Sequence, residues 1–168
     1  MKPLLLIDVD GPLNPYGARP ERRPQGCVTY RMRPAGWTDR RPLRVWLNPA
    51  HGRELLALAD RYELVWATTW EAEANIWIGP PLGLPELPYI AWPAVRGAAP
   101  RGTFWKTRHI LRYAAGRPFA WVDDEIAEPD REFVDREHLS AALLLRVDPR
   151  IGLTRPDFDA LAEWAAAL

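Results

Sequence analysis

Two acids two residues apart close an apolar run near the start of the chain, Leu4-Leu5-Leu6-Ile7-Asp8-Val9-Asp10-Gly11-Pro12. An apolar run bounded by breakers reads as a buried strand. Acids at its carboxyl end lie where open α/β sheets keep their sites. Two carboxylates beside an apolar core are costly unless a cation joins them. Three later stretches offer partners. Trp66-Ala67-Thr68-Thr69-Trp70 places hydroxyls directly after a second apolar run, Phe104-Trp105-Lys106-Thr107 places an ammonium near a helix start, and Trp121-Val122-Asp123-Asp124-Glu125 closes a further run with a second acidic pair.

The chemistry open to this set is phosphoryl transfer. One carboxylate can attack phosphorus, and a second can protonate the leaving oxygen and later activate water. Mg²⁺ takes carboxylate oxygens, waters and substrate phosphate. It would relieve the repulsion among Asp8, Asp10, Asp123 and Asp124. A threonine hydroxyl and Lys106 can hold the remaining phosphate oxygens as charge moves. Position directly after the strand favours Thr68 over Thr69 for that hydroxyl; which of Asp123 and Asp124 touches the metal stays open. Taken singly, each of these residues has a plain reading as a strand-end turn, a helix cap or a surface charge. Their order along the chain is the informative part.

Five runs read as strands: Pro3 to Asp8, Glu63 to Thr68, Pro88 to Trp92, Phe119 to Asp123 and Ala142 to Val147. Several are apolar on consecutive residues, as expected for strands covered on both faces. Helical patterns lie between them. Asn48-Pro49 caps one whose apolar face is Leu55, Leu56 and Ala59. Thr103 caps a second, carrying Ile110, Leu111 and Ala114 and stopped near Gly116. Thr154-Arg155-Pro156-Asp157 opens a last one through Leu161 and Trp164. The alternation predicts an α/β fold: a doubly wound, mainly parallel, five-stranded Rossmann-like sheet. Residues 15–45 break the alternation, and Val28 to Met32 with Leu43 to Leu47 can pair as a flap. One domain over 1–168, with that flap as an insertion, is the expected organisation.

Bulk properties narrow the function. The 168 residues carry no formal net charge, which argues against a polyanion binder held by overall charge. The charge is unevenly placed, however. Eight arginines (19, 22, 23, 31, 33, 40, 41 and 44) stand in the flap region against Glu21 and Asp39. Only Lys2 and Lys106 of the 22 cations are lysine, so a lysine in a candidate site stands out. A single cysteine, Cys27, excludes an internal disulfide and an all-cysteine metal site. His51, His109 and His138 show no metal-ligand spacing. No run approaches a membrane span, and a cytoplasmic protein is expected. The absence of a Gly-x4-Gly-Lys-Ser/Thr loop argues against a kinase.

The ordered set Asp-x-Asp-Gly, Thr after a strand, Lys, then Asp-Asp resembles the haloacid dehalogenase (HAD) superfamily of phosphatases. More narrowly, Asp8-Val9-Asp10-Gly11-Pro12-Leu13-Asn14-Pro15, Trp66-Ala67-Thr68-Thr69-Trp70-Glu71 with Ala74-Asn75, and Trp121-Val122-Asp123-Asp124-Glu125 resemble a bacterial branch found alone or within multidomain RNA-repair proteins. The resemblance implies Asp8 as nucleophile and metal ligand. It implies Asp10 as general acid/base with its carbonyl on the metal, Thr68 as phosphoryl ligand and Lys106 as the cation steadying nucleophile and phosphate. Asp123 and Asp124 would complete a Mg²⁺ site. Asp10 also argues against dehalogenation, whose branch typically lacks the second acid.

The expected function is therefore a Mg²⁺-dependent phosphatase acting through an aspartyl-phosphate on Asp8. Both usual cap positions, 15–45 and roughly 71–102, are too short for a globular cap, so an open site is expected. An open site suits a phosphorylated nucleic-acid end, with the Arg-rich flap and Tyr16, Tyr30 and Trp37 as phosphate and stacking contacts. A small phosphometabolite phosphatase and an inactive Mg²⁺/phosphate-binding module are the alternatives. Natural substrate and oligomeric state are not legible in the sequence.

Overall fold

The computed structural model describes residues 1–94, 99 and 102–168. The elements in chain order are β1 (Leu4–Ile7), β2 (Val28–Met32), β3 (Leu43–Leu47), α1 (Pro49–Leu58), β4 (Glu63–Trp66), α2 (Glu73–Trp77), α3 (Gly79–Leu82), α4 (Thr107–Ala114), β5 (Phe119–Asp123), α5 (Glu128–Glu137), β6 (Ala142–Arg146) and α6 (Arg155–Ala166). Four strands form one parallel sheet in the order β4-β1-β5-β6; β2 and β3 form a separate antiparallel pair.

The continuous apolar strands are explained by cover on both faces. Leu5, Ile7, Leu64, Trp66, Ala120 and Val122 point to one face, where Leu55 and Leu58 of α1 and Phe158 and Leu161 of α6 meet them. Leu4, Leu6, Val65, Ala67, Phe119 and Trp121 point to the other, under Ile110 and Ala114 of α4 and Val134 of α5. Each large side chain so buried contributes roughly 1.5–3 kcal/mol. The β2–β3 hairpin packs on the first face through Met32, Val45 and Leu47. Among the described residues no helix is long and apolar enough to cross a membrane.

Local signals set several helix ends. Asn48 Oδ1 accepts from the Ala50 N–H at 3.0 Å with Pro49 at the first position of α1. The N–H of Thr154 donates to Asp157 Oδ2 at 2.8 Å, closing the start of α6.

Three expectations need correction. The sheet has four strands, not five: Pro88 to Trp92 makes only an isolated bridge to the β4 edge, with the Trp66 N–H on Pro88 O and the Ile90 N–H on Trp66 O, both 2.9 Å. Pro88 has no donor, and Pro93 follows closely, so a longer ladder cannot form there. Thr103 does not cap α4, which starts at Thr107 with Lys106 at the capping position. Leu56 is exposed, and Leu58 takes its place in the buried stripe of α1.

The order β4-β1-β5-β6 has a functional consequence. The chain leaves β1 toward β4 and leaves β5 toward β6, so the two connections diverge. A crevice opens between the carboxyl ends of these neighbouring strands, the place where open α/β sheets bind ligands.

One close approach holds the layer beneath the crevice. A Cβ on Gly52 of α1 would stand 1.7 Å from the carbonyl oxygen of Leu82 at the end of α3. Gly52→Ala should lower stability by about 1–3 kcal/mol, since backbone must move to admit it. Urea denaturation checks this; an unchanged midpoint would contradict the contact.

Candidate active site

Asp8 follows β1 directly, and Asp123 is the last residue of β5, its neighbour in the sheet. The pairing places both acids at one end of the sheet, with Asp124 next along. One oxygen from each of Asp8, Asp123 and Asp124 lies within 4.8 Å of the other two, and all three residues are buried. Gly11 makes this approach possible. Its φ is +97°, and a Cβ there would stand 2.6 Å from Asp124 Cγ. A residue with a side chain would meet both strain and collision at that position.

Lys106 answers the charge. Its Nζ lies 2.9 Å from Asp8 Oδ2 and 2.8 Å from Asp123 Oδ2, and it is itself buried. The Phe104 ring stands 5.4 Å from the ammonium. Burial would discharge such a lysine, but Asp8 and Asp123 outweigh it and raise its pKa. Burial likewise pushes Asp8 up from an ordinary 3.8 to about 8; Lys106 pulls it down, while Asp123 and Asp10 push it up. Asp124 and Glu125 are also raised, chiefly by burial and by their acidic neighbours. Three buried carboxylates thus face one ammonium. The donor set is all oxygen, the set a hard divalent cation prefers, and Mg²⁺ or its like would supply the missing positive charge. Both oxygens of Asp123 are engaged, Oδ2 by Lys106 and Oδ1 by the Glu125 N–H at 3.0 Å.

Asp10 is held apart from that cluster. Asn14 Nδ2 donates to its Oδ1 at 2.8 Å and Trp70 Nε1 to its Oδ2 at 2.9 Å. Asn14 also accepts from the Trp46 N–H of β3 at 3.0 Å, tying the Asp10 turn to the hairpin. Asp10 and Asp8 line one cleft of about 190 Å³ with Tyr16, Thr69, Phe104, Trp105, Lys106, Asp124 and Glu125.

The two threonines differ in placement. Thr68 is fully buried, and its Oγ1 accepts from the Trp70 N–H at 3.3 Å. Thr69 is exposed on the cleft wall. The turn is latched from outside: Trp92 Nε1 donates to Thr68 O at 2.8 Å, and Glu71 Oε1 accepts from the Trp92 N–H at 2.8 Å. Glu71 adopts a φ of +45°, uncommon for a residue with a side chain.

The sequence assigns no part to three residues that hold this geometry, Asn14, Trp70 and Asp130; Tyr16, expected as a phosphate and stacking contact, is instead a hydrogen-bond donor within the site. The Tyr16 hydroxyl donates to Asp124 Oδ2 at 2.9 Å, and burial together with that bond pushes its pKa up to about 12. Asp130 of α5 is fully buried and accepts from the Phe104 N–H, the Thr107 hydroxyl and the Ala127 N–H. It therefore fixes the turn that presents Lys106. Asn14 and Trp70 sit inside stretches already singled out; Asp130 stands in no such stretch. Of the other expected flap contacts, Tyr30 packs against the core and Trp37 Nε1 donates to Arg41 O. His51 and His138, which show no metal-ligand spacing, lie against Phe158 and Phe119.

Residues 4–158 match the family described as the HAD domain in Swiss Army Knife RNA repair proteins. The chain belongs to that family. No curated protein and no solved structure matches it. HAD domains are phosphatase-like and generally use Mg²⁺, and the buried Asp8–Asp123–Asp124 group fits such an ion in charge and donor type.

Removing the buried cation should be costly. Lys106→Ala leaves the carboxylates uncompensated and should destabilise the metal-free protein by about 3–5 kcal/mol, read by urea denaturation in EDTA. The pH dependence has a definite sign. An acid with a raised folded-state pKa favours folding below its unfolded value, and that contribution fades as pH rises. Asp8 should therefore make the wild-type HAD domain lose stability in EDTA between pH 3.8 and about 8. Mg²⁺ should offset that loss. A urea midpoint that climbs with pH over this window without metal would contradict the charge imbalance.

Proposed function

We propose that this chain is a Mg²⁺-dependent phosphatase that works through an aspartyl-phosphate on Asp8 and acts on phosphorylated nucleic-acid ends. The observation that carries the reading is the sharing of one cleft by two differently held acids. Asp8 sits against Lys106, whereas Asp10 is fixed by neutral N–H donors at both oxygens.

The roles follow from these placements. Asp8 attacks phosphorus as the ester bond to the leaving oxygen breaks. Asp10, as general acid, gives a proton to that oxygen. In the second half Asp10 takes a proton from water, the water oxygen attacks phosphorus, and the bond to Asp8 breaks to release inorganic phosphate. Lys106 holds Asp8 in place and neutralises charge on the phosphoryl oxygens. The Thr68–Thr69 turn offers them hydroxyl donors: Thr69 lines the cleft, and Thr68, fully buried, precedes it in the chain. Asp8, Asp123 and Asp124 would hold Mg²⁺, with the Asp10 carbonyl. The ion supplies charge neutralisation for the incoming phosphate.

Two features favour a nucleic-acid end as substrate. The family description names RNA repair proteins, and the arginine-bearing β2–β3 hairpin is tied to Asp10 through Asn14.

Hydrolysis of a chromogenic phosphate ester should need Mg²⁺ and should stop in EDTA. Asp8→Asn should lower kcat by about three orders of magnitude or more while the protein stays folded. Beryllium fluoride with Mg²⁺ should form an adduct at Asp8. A panel of 3′- and 5′-phosphorylated oligonucleotides, nucleotides, sugar phosphates and phosphopeptides should show the highest kcat/KM on an oligonucleotide. No turnover and no adduct would instead mark a binding module, and a sugar phosphate at the head of the panel would overturn the nucleic-acid assignment.

A further inference from the structure

Beyond the cleft, the loop that follows β1 forms a second concavity of about 420 Å³, lined by Gly17, Ala18, Arg19, Arg22, Arg23, Pro24, Gln25 and Arg150. Four arginines line one hollow, and no acid lines it. In a chain of zero net charge this is a strong local imbalance. Like charges in a concave wall repel one another and focus a positive potential that an anion relieves. Arg150 is already paired with Asp148 at 2.7 Å. Arg19, Arg22 and Arg23 make no side-chain hydrogen bond or ion pair with any described residue.

The hollow is built rather than incidental. The Arg22 N–H donates to Arg19 O at 2.9 Å, folding this stretch into a turn. Arg44 Nη1 donates to Pro20 O at 3.1 Å, and its guanidinium lies 3.9 Å over the Trp46 ring, so the loop is pinned to the hairpin. The Gly17 N–H donates to Pro149 O at 2.9 Å, which joins the loop to the segment carrying Arg150. The hollow also adjoins the cleft. Tyr16, bonded to Asp124, lines the cleft, and the next residue, Gly17, lines the hollow.

We infer that this hollow is a subsite for a second, non-reacting phosphate of the substrate whose first phosphate sits at Asp8. The inference rests on the phosphatase reading above. Guanidinium forks match phosphate oxygens in pairs; Asp148 holds Arg150, which leaves Arg19, Arg22 and Arg23 as the arginines for the phosphate. The second phosphate belongs to an internucleotide linkage or to a small bisphosphate, and binding separates these sources.

The test uses the full chain with Asp8→Asn to prevent turnover, with and without Arg19→Ala, Arg22→Ala and Arg23→Ala together. Isothermal titration measures a 5′-phosphorylated trinucleotide, a hexose bisphosphate and a hexose monophosphate in Mg²⁺. The three substitutions should weaken the trinucleotide about tenfold more than the monophosphate. They should also flatten its log Kd against log salt slope by about 0.7 for each lost contact. A selective loss on the bisphosphate alone would keep the subsite and assign it to small bisphosphates. Equal effects on all three ligands, or none, would overturn it. If the intact chain hydrolyses nothing yet this selective loss appears, the phosphatase reading fails and the subsite stands.

Discussion

One buried ammonium shared by two carboxylates organises this molecule. Lys106 stands within ion-pair distance of both Asp8 and Asp123, and Asp124 lies in the same group. A single positive charge cannot balance three buried negative ones. The folded chain therefore keeps a standing demand for a proton or a cation at the sheet end. Burial, with that deficit beside it, raises the Asp8 pKa, and the same deficit favours a divalent ion.

Holding such a group requires rigid support, and each support comes from a different element. β1 and β5 bring the acids together because they are hydrogen-bonded neighbours. Asp130 of α5 fixes the turn before α4, which aims Lys106 inward. Asn14 links the Asp10 turn to β3, and Trp70 holds the other Asp10 oxygen. Around Asp10 this work is done by neutral N–H donors at both oxygens. The hairpin is thus part of the site's framework as well as its border.

Much of the fold was legible because it is encoded locally. The apolar runs of β1 and β5, the Asn48-Pro49 cap and the Thr154–Asp157 cap each depend on neighbours within a few residues. The strands of the hairpin were readable for the same reason. Pro88 to Trp92 was misread as a strand, since composition alone does not show how many donors a proline-flanked segment can offer an edge. Leu56 was misplaced because the stripe of α1 is set by what packs on it. The flap arginines look alike in sequence but differ in the structure. Arg33 is spent on the carbonyls of Asp39 and Arg40 and Arg44 on that of Pro20, while Arg19, Arg22 and Arg23 line a common hollow.

By itself the sequence determined which side chains were available for chemistry and the order in which they occur: two acids after the first strand, hydroxyls after another, a rare lysine, then two further acids. Their residue types limit the reaction before any coordinates are known. Only the tertiary structure decided which acids share the lysine, which threonine reaches the cleft and which polar residues orient Asp10, Asp124 and Lys106. Those relations join positions more than a hundred residues apart, such as Tyr16 and Asp124. They arise from strand register and the diverging crossovers, which local patterns do not encode.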